Sequence, residues 1–131
     1  MLVTLASHDL DLCARTVKVL VSGGADELRA ALAWTLRNRF MDAWRKTTPS
    51  ALDICQDLLR EATGCSGGQF LATALSDPEW CRAMAINCLV WSGDLADPTN
   101  GATSCYRHDM QAPWAAERAA TALIGAYIFL R

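Results

Sequence analysis

The first half of the chain carries apolar residues at helical spacing. Over residues 9–20 they recur at intervals of three and four, which places them on one face of a helix. A second such pattern, over residues 26–44, begins at Asp26, a residue type that favours the helix N-cap. A third begins at Thr48 with Pro49 in the first helical position, where its missing N–H group costs nothing. The pattern therefore predicts three helices in this half.

The second half predicts one further helix and then loses its periodicity. Ser76 and Glu79 form a capping box, in which two side chains bond backbone N–H groups at a helix start. The helix that they open runs to Gly93, a typical helix-ending residue. Residues 94–113 are rich in turn-forming Asp, Asn, Gly and Pro. The remaining tail is ambiguous, because its alanines favour a helix whereas Tyr127-Ile-Phe-Leu130 favours a strand.

Composition and charge exclude several classes of partner. The chain has 131 residues, of which 52% are apolar, and a net charge of −2. We therefore expect one globular, mostly α domain over residues 1–131. No basic stripe marks a nucleic-acid binder, and no apolar run approaches the roughly 18 residues of a membrane span. The opening residues lack the basic segment of a signal peptide. We expect neither nucleic acid nor a membrane as a partner.

Six cysteines are many for a chain of this length. They form no Cys-x-x-Cys pair, and only His8 and His108 could complete a mixed zinc site, so we expect no metal. Buried free thiols and disulfides, within the chain or between copies, remain open alternatives. Cys81 and Cys88 share a face of the predicted fourth helix. They lie about 10 Å apart along its axis, which is too far for them to bond each other.

A series of short segments carries a more specific signal. Asp97-Pro-Thr-Asn-Gly-Ala-Thr103 is followed by Trp114-Ala115 and by Ala122-Leu-Ile-Gly125. The preceding segments of the series are Asp9-Leu-Asp11, Ala14-Arg-Thr16, Ala33-Trp34, Asn38-Arg39, Gln69-Phe70 and Glu79-Trp80-Cys-Arg-Ala83. In this order, over nearly the whole chain, the segments resemble those of the SleB/CwlJ-type bacterial cell-wall hydrolases.

The resemblance implies a lysozyme-like helical domain with a small C-terminal β-hairpin, an α+β fold. Residues 101–107 and 124–130 would pair as the hairpin, since tertiary context overrides local propensity. The resemblance also implies cleavage of the glycan strand of peptidoglycan, in which a carboxylic acid protonates the glycosidic oxygen. Counting back without a gap from Asn38-Arg39 places the family's acid at Leu20, and leucine cannot exchange a proton.

Other polar positions of the family's groove are altered as well. Val19-Leu-Val-Ser-Gly-Gly24 stands in place of a Gly-Glu-Ala-Arg-Gly-Glu stretch, and Ser104 and Tyr106 stand in place of paired histidines. Asp26 and Glu27 are the nearest acids that could substitute. Acidic residues at a helix start more often serve the cap and the helix dipole.

Several residues would line a glycan groove if the resemblance extends to ligand binding. They are Gln69, Phe70, Asp97, Thr99, Thr103, Tyr106 and Trp114. The Trp114 ring could stack on a sugar or act as a structural wedge under the loop. Glu61 and His108 are expected to be solvated surface residues. No cofactor is expected.

A fold that is retained while its polar site is altered indicates a non-catalytic structural or interaction protein. A phage or phage-like particle is the expected setting, because such particles carry wall hydrolases. The protein would then be found in the particle, or in the host cytoplasm before lysis. The alternatives are a peptidoglycan-binding module, with the glycan as partner, and a muralytic hydrolase of the lytic transglycosylase kind whose acid has moved.

The expected partners in a particle are other protein chains, joined by disulfides. Cys105 and Cys65 lie in polar segments, so we expect them at the surface, where they could bond another chain. The remaining cysteines fall on predicted apolar helix stripes and are expected in the core; they are Cys13, Cys55, Cys81 and Cys88.

Overall fold

The computed structural model describes residues 5–21, 23–64 and 77–131. Its helices are α1 (Ser7–Leu20), α2 (Asp26–Trp44), α3 (Ala51–Thr63) and α4 (Pro78–Ser92). Its strands are β1 (Ser104–Arg107), β2 (Ala120–Ile124) and β3 (Tyr127–Leu130), with a short 3-10 helix at Pro113–Ala115. None of the helices in these ranges is both long and apolar enough to cross a bilayer.

Helix α1 lies at the centre of the helical layer and packs against the other three helices. Its predicted apolar stripe is confirmed, because Cys13, Val17 and Leu20 are all buried in the core. Thr16 is also fully buried, and its hydroxyl donates to the carbonyl oxygen of Leu12 at 2.8 Å. This internal bond satisfies a polar group that would otherwise destabilise the core.

The predicted cap of α2 and the predicted start of α3 are wrong. Asp26 is the first residue of α2 rather than its cap, and the N-cap, Ala25, makes no side-chain cap bond. Helix α3 begins at Ala51 rather than at Thr48. Its N-cap is Ser50, whose hydroxyl oxygen accepts from the Asp53 N–H at 3.3 Å. Serine is a strong N-cap residue, and it displaces the helix start past the proline.

The N-cap of α4 is Asp77 rather than the predicted Ser76. The Asp77 carboxylate accepts from the backbone N–H of Glu79 at 2.8 Å, and Pro78 occupies the first helical position. This hydrogen bond, aided by Lys18 at 3.4 Å, holds the pKa of Asp77 below its ordinary value. The helix ends at Gly93, as predicted, where φ is +84° and glycine carries no steric penalty.

The buried face of α4 differs from the predicted one. Apolar residues surround this helix, so their pattern does not reveal which stripe packs inward. The stripe that is buried consists of Ala83, Asn87, Val90 and Trp91. Cys81 and Cys88 are exposed instead of lying in the core, which corrects the prediction for both.

The tail forms a sheet rather than a helix. Strand order is β1-β3-β2, and both pairings are antiparallel. Ser104 pairs with Leu130 and Arg107 pairs with Tyr127, so the predicted pairing of residues 101–107 with 124–130 is confirmed. Strand β2 was not predicted. It joins β3 through a tight turn at Gly125, where φ is +58° and an added Cβ would lie 3.1 Å from the Leu28 side chain.

Candidate functional site

A cleft of about 310 Å³ opens at the C-terminal end of α1. It lies where α1 and α3 end, beside the end of β1 and the start of β3. The described residues that line it are Val19, Leu20, Val21, Leu28, Thr63, Arg107, Ala126 and Tyr127. None of these side chains is a carboxylate, and the charged group among them is the guanidinium of Arg107. The cleft is a mixed surface in which apolar side chains predominate.

Leu20 occupies the position at which the resemblance places an acid. Its side chain is 6% exposed and belongs to the core. Its carbonyl oxygen accepts a hydrogen bond from the hydroxyl of Tyr127 at 2.8 Å, which satisfies a backbone group at the end of α1. Burial raises the pKa of Tyr127 to about 12. Tyr127 is therefore a neutral donor at physiological pH, and its hydroxyl proton is engaged by the Leu20 carbonyl oxygen.

The two acids nearest to Leu20 in the sequence are not among the described residues that line the cleft. Asp26 and Glu27 are both exposed, at the start of α2. The Asp26 carboxylate accepts from the guanidinium of Arg29 at 2.9 Å. Arg29 is itself only 3% exposed, and its other terminal nitrogen donates to Glu79 at 2.7 Å. Asp26 thus takes part in an ion-pair network that joins α2 to α4.

Glu61 is partly buried and ion-paired, so the expectation of a solvated surface residue is wrong. Its side chain is 26% exposed and accepts a hydrogen bond from the guanidinium of Arg39 on α2. The Arg118 guanidinium lies 3.9 Å away, and the Ser104 hydroxyl donates to Glu61 at 3.4 Å. The Arg118 guanidinium also donates to the Ser104 hydroxyl at 2.8 Å. These residues, which we call the Glu61 cluster, join α3, α2 and the sheet.

Asp97 organises the loop before β1. Its carboxylate accepts from the hydroxyl of Thr99 at 2.6 Å, from the amide of Asn38 at 3.0 Å and from the Gly101 N–H at 3.0 Å. Burial opposes ionisation of Asp97, but these hydrogen bonds outweigh it and hold its pKa below the ordinary value. Thr99 is fully buried, and its hydroxyl oxygen also accepts from the Ala102 N–H at 3.2 Å. Both side chains are engaged in holding the loop.

Three other predicted groove residues, Thr103, Tyr106 and Trp114, lie beside the Glu61 cluster. Tyr106 and Trp114 pack edge to face with their ring centres 5.9 Å apart. The Arg118 guanidinium lies 5.8 Å from the Trp114 ring centre and donates to the Thr103 hydroxyl at 3.1 Å. Trp114 is 38% exposed, so part of its ring faces solvent. Gln69 and Phe70 lie outside the described residues.

The division of the cysteines into buried and exposed residues differs from the predicted one. Cys105 is fully buried rather than exposed, because β1 packs against α3 and turns this side chain into the core. Burial raises the pKa of its thiol far above the ordinary range. Cys13 and Cys55 are buried as predicted, and their thiols share a hydrogen bond, which together with burial raises the pKa of Cys13. No two of the described cysteines form a disulfide, and Cys65 lies outside the described ranges.

The described ranges hold no cluster of three or more His, Cys, Asp or Glu residues that could bind a metal ion. His108 is exposed. Its backbone N–H donates a hydrogen bond to the Ala126 carbonyl oxygen at 2.9 Å.

Comparisons with known proteins identify the architecture. No family model and no curated protein matches the sequence. The chain is similar to the crystal structure of the catalytic domain of the Bacillus cereus SleB protein, with a TM-score of 0.69 over 98% of this chain and 93% of that one. The chain therefore has the same fold as that catalytic domain. Sequence identity is 19%, so the likeness establishes the lysozyme-like α+β fold, and residue roles rest on the geometry of this chain.

The Glu61 cluster is the part of this SleB-like domain that sequence reasoning missed. Its members Arg39, Glu61 and Arg118 stand far apart in the sequence, on α2, on α3 and in the loop before β2. No spacing rule connects such residues, because they meet only after α2, α3 and the sheet have packed together. The resemblance marked Asn38-Arg39 as a segment but gave Arg39 no partner.

Proposed function

We propose that this protein is a non-catalytic structural or interaction protein built on a peptidoglycan-hydrolase fold. The observation that carries the proposal is Leu20, a buried leucine at the cleft position where the resemblance to cell-wall hydrolases places an acid. Glycoside cleavage requires a group that protonates the leaving oxygen. The described lining of the cleft offers no carboxylate for that step.

Glu61 is poorly placed to replace the missing acid. Thr63 lines the cleft, and a residue two positions earlier on a helix points about 200° away around the axis. The Glu61 carboxylate also accepts hydrogen bonds from Arg39 and Ser104, with Arg118 beside it. A proton donor would have to leave these partners, so the Glu61 cluster is better suited to holding α3 against the sheet.

A phage or phage-like particle is the setting that we favour, with other protein chains as partners. The protein would then be found in the particle, or in the host cytoplasm before lysis. Large apolar side chains remain exposed on separate elements, with Trp44 on α2 at 49% and Leu123 on β2 at 69%. Tryptophan in particular is a common contact residue in protein interfaces.

The catalytic part of the proposal is tested with purified protein and insoluble peptidoglycan. We expect no release of soluble muropeptides above a protein-free control, measured by chromatography and mass spectrometry. Absence of a positioned acid lowers the rate by roughly 10²–10⁴-fold through that group alone. Turnover by the unaltered protein that disappears in Glu61→Gln, Asp26→Asn or Glu27→Gln would instead establish a hydrolase with a relocated acid.

The reverse substitution asks whether the cleft has lost more than one residue. Leu20→Glu is compared with Leu20→Gln, which has nearly the same shape without the acid. We expect neither variant to release muropeptides, and we expect both to unfold more easily because a polar group replaces a core side chain. Circular dichroism of each variant verifies that the fold is retained. If folded Leu20→Glu released muropeptides and Leu20→Gln did not, the loss of catalysis would be due to position 20 only.

A second candidate function, glycan binding without cleavage, is favoured by the Trp114 surface. The partly exposed ring of Trp114 lies beside Arg118 and Tyr106, an arrangement of aromatic and donor groups that suits a sugar. The test is co-sedimentation with insoluble peptidoglycan. If this function is right, Trp114→Ala lowers the affinity roughly tenfold, whereas Trp44→Ala, which removes an exposed tryptophan on α2, leaves it unchanged.

A further inference from the structure

Cys13 and Cys55 are two buried thiols that meet inside the helical core. Cys13 is on α1 and Cys55 is on α3, and these two helices pack against each other. The two residues are 3% and 0% exposed, and their thiols share a hydrogen bond. Thr16, which follows Cys13 by one turn of α1, also contacts the Cys55 thiol through its hydroxyl. Cys55 therefore packs between two side chains of the facing helix.

We propose that Cys13 and Cys55 form a redox-active dithiol, which closes into a disulfide between α1 and α3 in an oxidising environment. A disulfide requires its sulfur atoms to approach to about 2 Å. Two thiols that already share a hydrogen bond need only a small movement to reach that distance. The proposal concerns the core of the domain, so it does not depend on whether the domain has lost catalysis.

The shared hydrogen bond makes the two thiols unequal. It raises the pKa of Cys13, and burial acts in the same direction. It lowers the pKa of Cys55, against the effect of burial. Cys13 is thus the donor of the pair and Cys55 the acceptor. Because the thiolate is the nucleophile in disulfide chemistry, Cys55 is the thiol that reacts first.

Closure of the bond requires an oxidant, for which a small-molecule disulfide such as oxidised glutathione is suitable. The Cys55 thiolate attacks one sulfur of the reagent and releases the other half as a thiolate. Cys13 then loses its proton and attacks the Cys55 sulfur of the mixed disulfide, which releases the second half. In total, two protein thiols lose two protons and two electrons, and one reagent disulfide is reduced to two thiols.

The bond would join two helices that border the cleft. Helix α1 ends at Leu20 and α3 ends at Thr63, and both of these residues line the cleft. Cys13 and Cys55 are 42 positions apart in the sequence, so their disulfide closes a long loop and restricts the unfolded chain. A reducing cytoplasm keeps such thiols free, whereas an extracellular setting lets the bond persist. The oxidised form is therefore expected to resist unfolding more strongly than the reduced form.

The test uses the full chain with Cys65→Ser, Cys81→Ser and Cys88→Ser, which leaves three thiols. The protein is unfolded, reduced and then refolded in a buffer of reduced and oxidised glutathione, because unfolding gives the reagent access to buried cysteines. We expect an intact mass that is lower by two hydrogens and, after digestion, a cross-linked peptide that contains Cys13 and Cys55. The oxidised protein should melt at least about 5 °C above the reduced protein.

Two matched variants of this protein locate the bond. Cys55→Ala should refold without losing two hydrogens and without the rise in melting temperature. Cys105→Ala also removes a buried thiol, but one that lies on β1, so it should retain both effects. Circular dichroism verifies that each variant is folded.

Three results would overturn the proposal. The first is that Cys13 and Cys55 are still free thiols after refolding. The second is a yield of bonds from either of them to Cys105 that equals the yield of the bond between them. The third is a melting temperature of the oxidised protein that is no higher than that of the reduced protein, because the bond would then not fit the packing of α1 on α3.

Discussion

Asp97 illustrates how one side chain can hold a loop that has no regular structure. Its two carboxylate oxygens accept hydrogen bonds from the backbone of Thr99 and Gly101 and from the Asn38 side chain on α2. The Asn38 amide also donates to the Ala102 carbonyl oxygen at 3.0 Å. The turn-rich segment is thus anchored to the helical layer just before β1 begins.

The structure predicts that Asp97→Asn destabilises the fold. An amide accepts fewer of these bonds and places an N–H₂ group against donors, so we expect a loss of roughly 1.5–3 kcal/mol of unfolding free energy at neutral pH. Because the pKa of Asp97 is lowered by folding, its contribution is present above the unfolded-state value near 3.8 and is lost as pH falls through the folded-state value.

The measurement is denaturant unfolding of both proteins between pH 7 and pH 3. The difference between them should shrink below about pH 4, since the protonated carboxyl loses the same bonds. Asp42→Asn is the control, because Asp42 is exposed and its nearest cation, Arg45, is 4.0 Å away. A constant difference across the whole pH range would contradict the assignment.

At the scale of elements, the contact between α2 and α4 depends on a buried arginine. Arg29 is 3% exposed and donates both to Asp26 on its own helix and to Glu79 on α4. Arg82 contacts the same Glu79 carboxylate from the solvent side, at 3.5 Å, with 63% of its side chain exposed. One carboxylate therefore has a buried and an exposed partner.

This pair of arginines gives a matched comparison. We expect Arg29→Met to lower the free energy of unfolding by about 2–3 kcal/mol, because it removes charge-assisted hydrogen bonds inside the structure. Arg82→Met should change it by less than about 0.5 kcal/mol, as is usual for an exposed ion pair. Both values come from urea unfolding. Equal effects would show that burial of Arg29 adds nothing to the contact.

At the scale of the whole molecule, the packing of helices on the sheet separates the cysteines into two groups. The buried group, Cys13, Cys55 and Cys105, lies among the contacts that α1, α3 and β1 make with one another. The exposed group, Cys81 and Cys88, lies on the outward face of α4. Which thiols react is therefore a property of tertiary packing rather than of each cysteine's neighbours in the sequence.

Thiol labelling measures this division directly. In the native protein, we expect N-ethylmaleimide to modify Cys81 and Cys88 within the first minutes, as located by peptide mass spectrometry. Cys13, Cys55 and Cys105 should react only after unfolding in denaturant, because burial excludes the reagent and keeps the Cys105 thiol protonated. Labelling of Cys105 at the same rate as Cys88 would contradict the packing of β1 on α3.

The sequence by itself determined the helices, the turn-rich loop and the resemblance that implied a SleB-like fold. Helix periodicity and strong end signals such as Gly93 are local, so they can be read without the structure. The sequence also has Leu20 at the position where the resemblance implies a catalytic acid. The hairpin was predicted through the resemblance and against the helical propensity of the tail.

Tertiary structure alone decided which face of each element is buried and which charges meet. Helix α4 is apolar on several sides, and only packing selected the stripe that contains Ala83 and Asn87. Cys105 became a core residue because β1 lies on α3, although its neighbours in the sequence are polar. The Glu61 cluster joins residues from three separate elements. Such contacts form only when elements far apart in the sequence pack together, and no local sequence pattern shows which of these elements will meet.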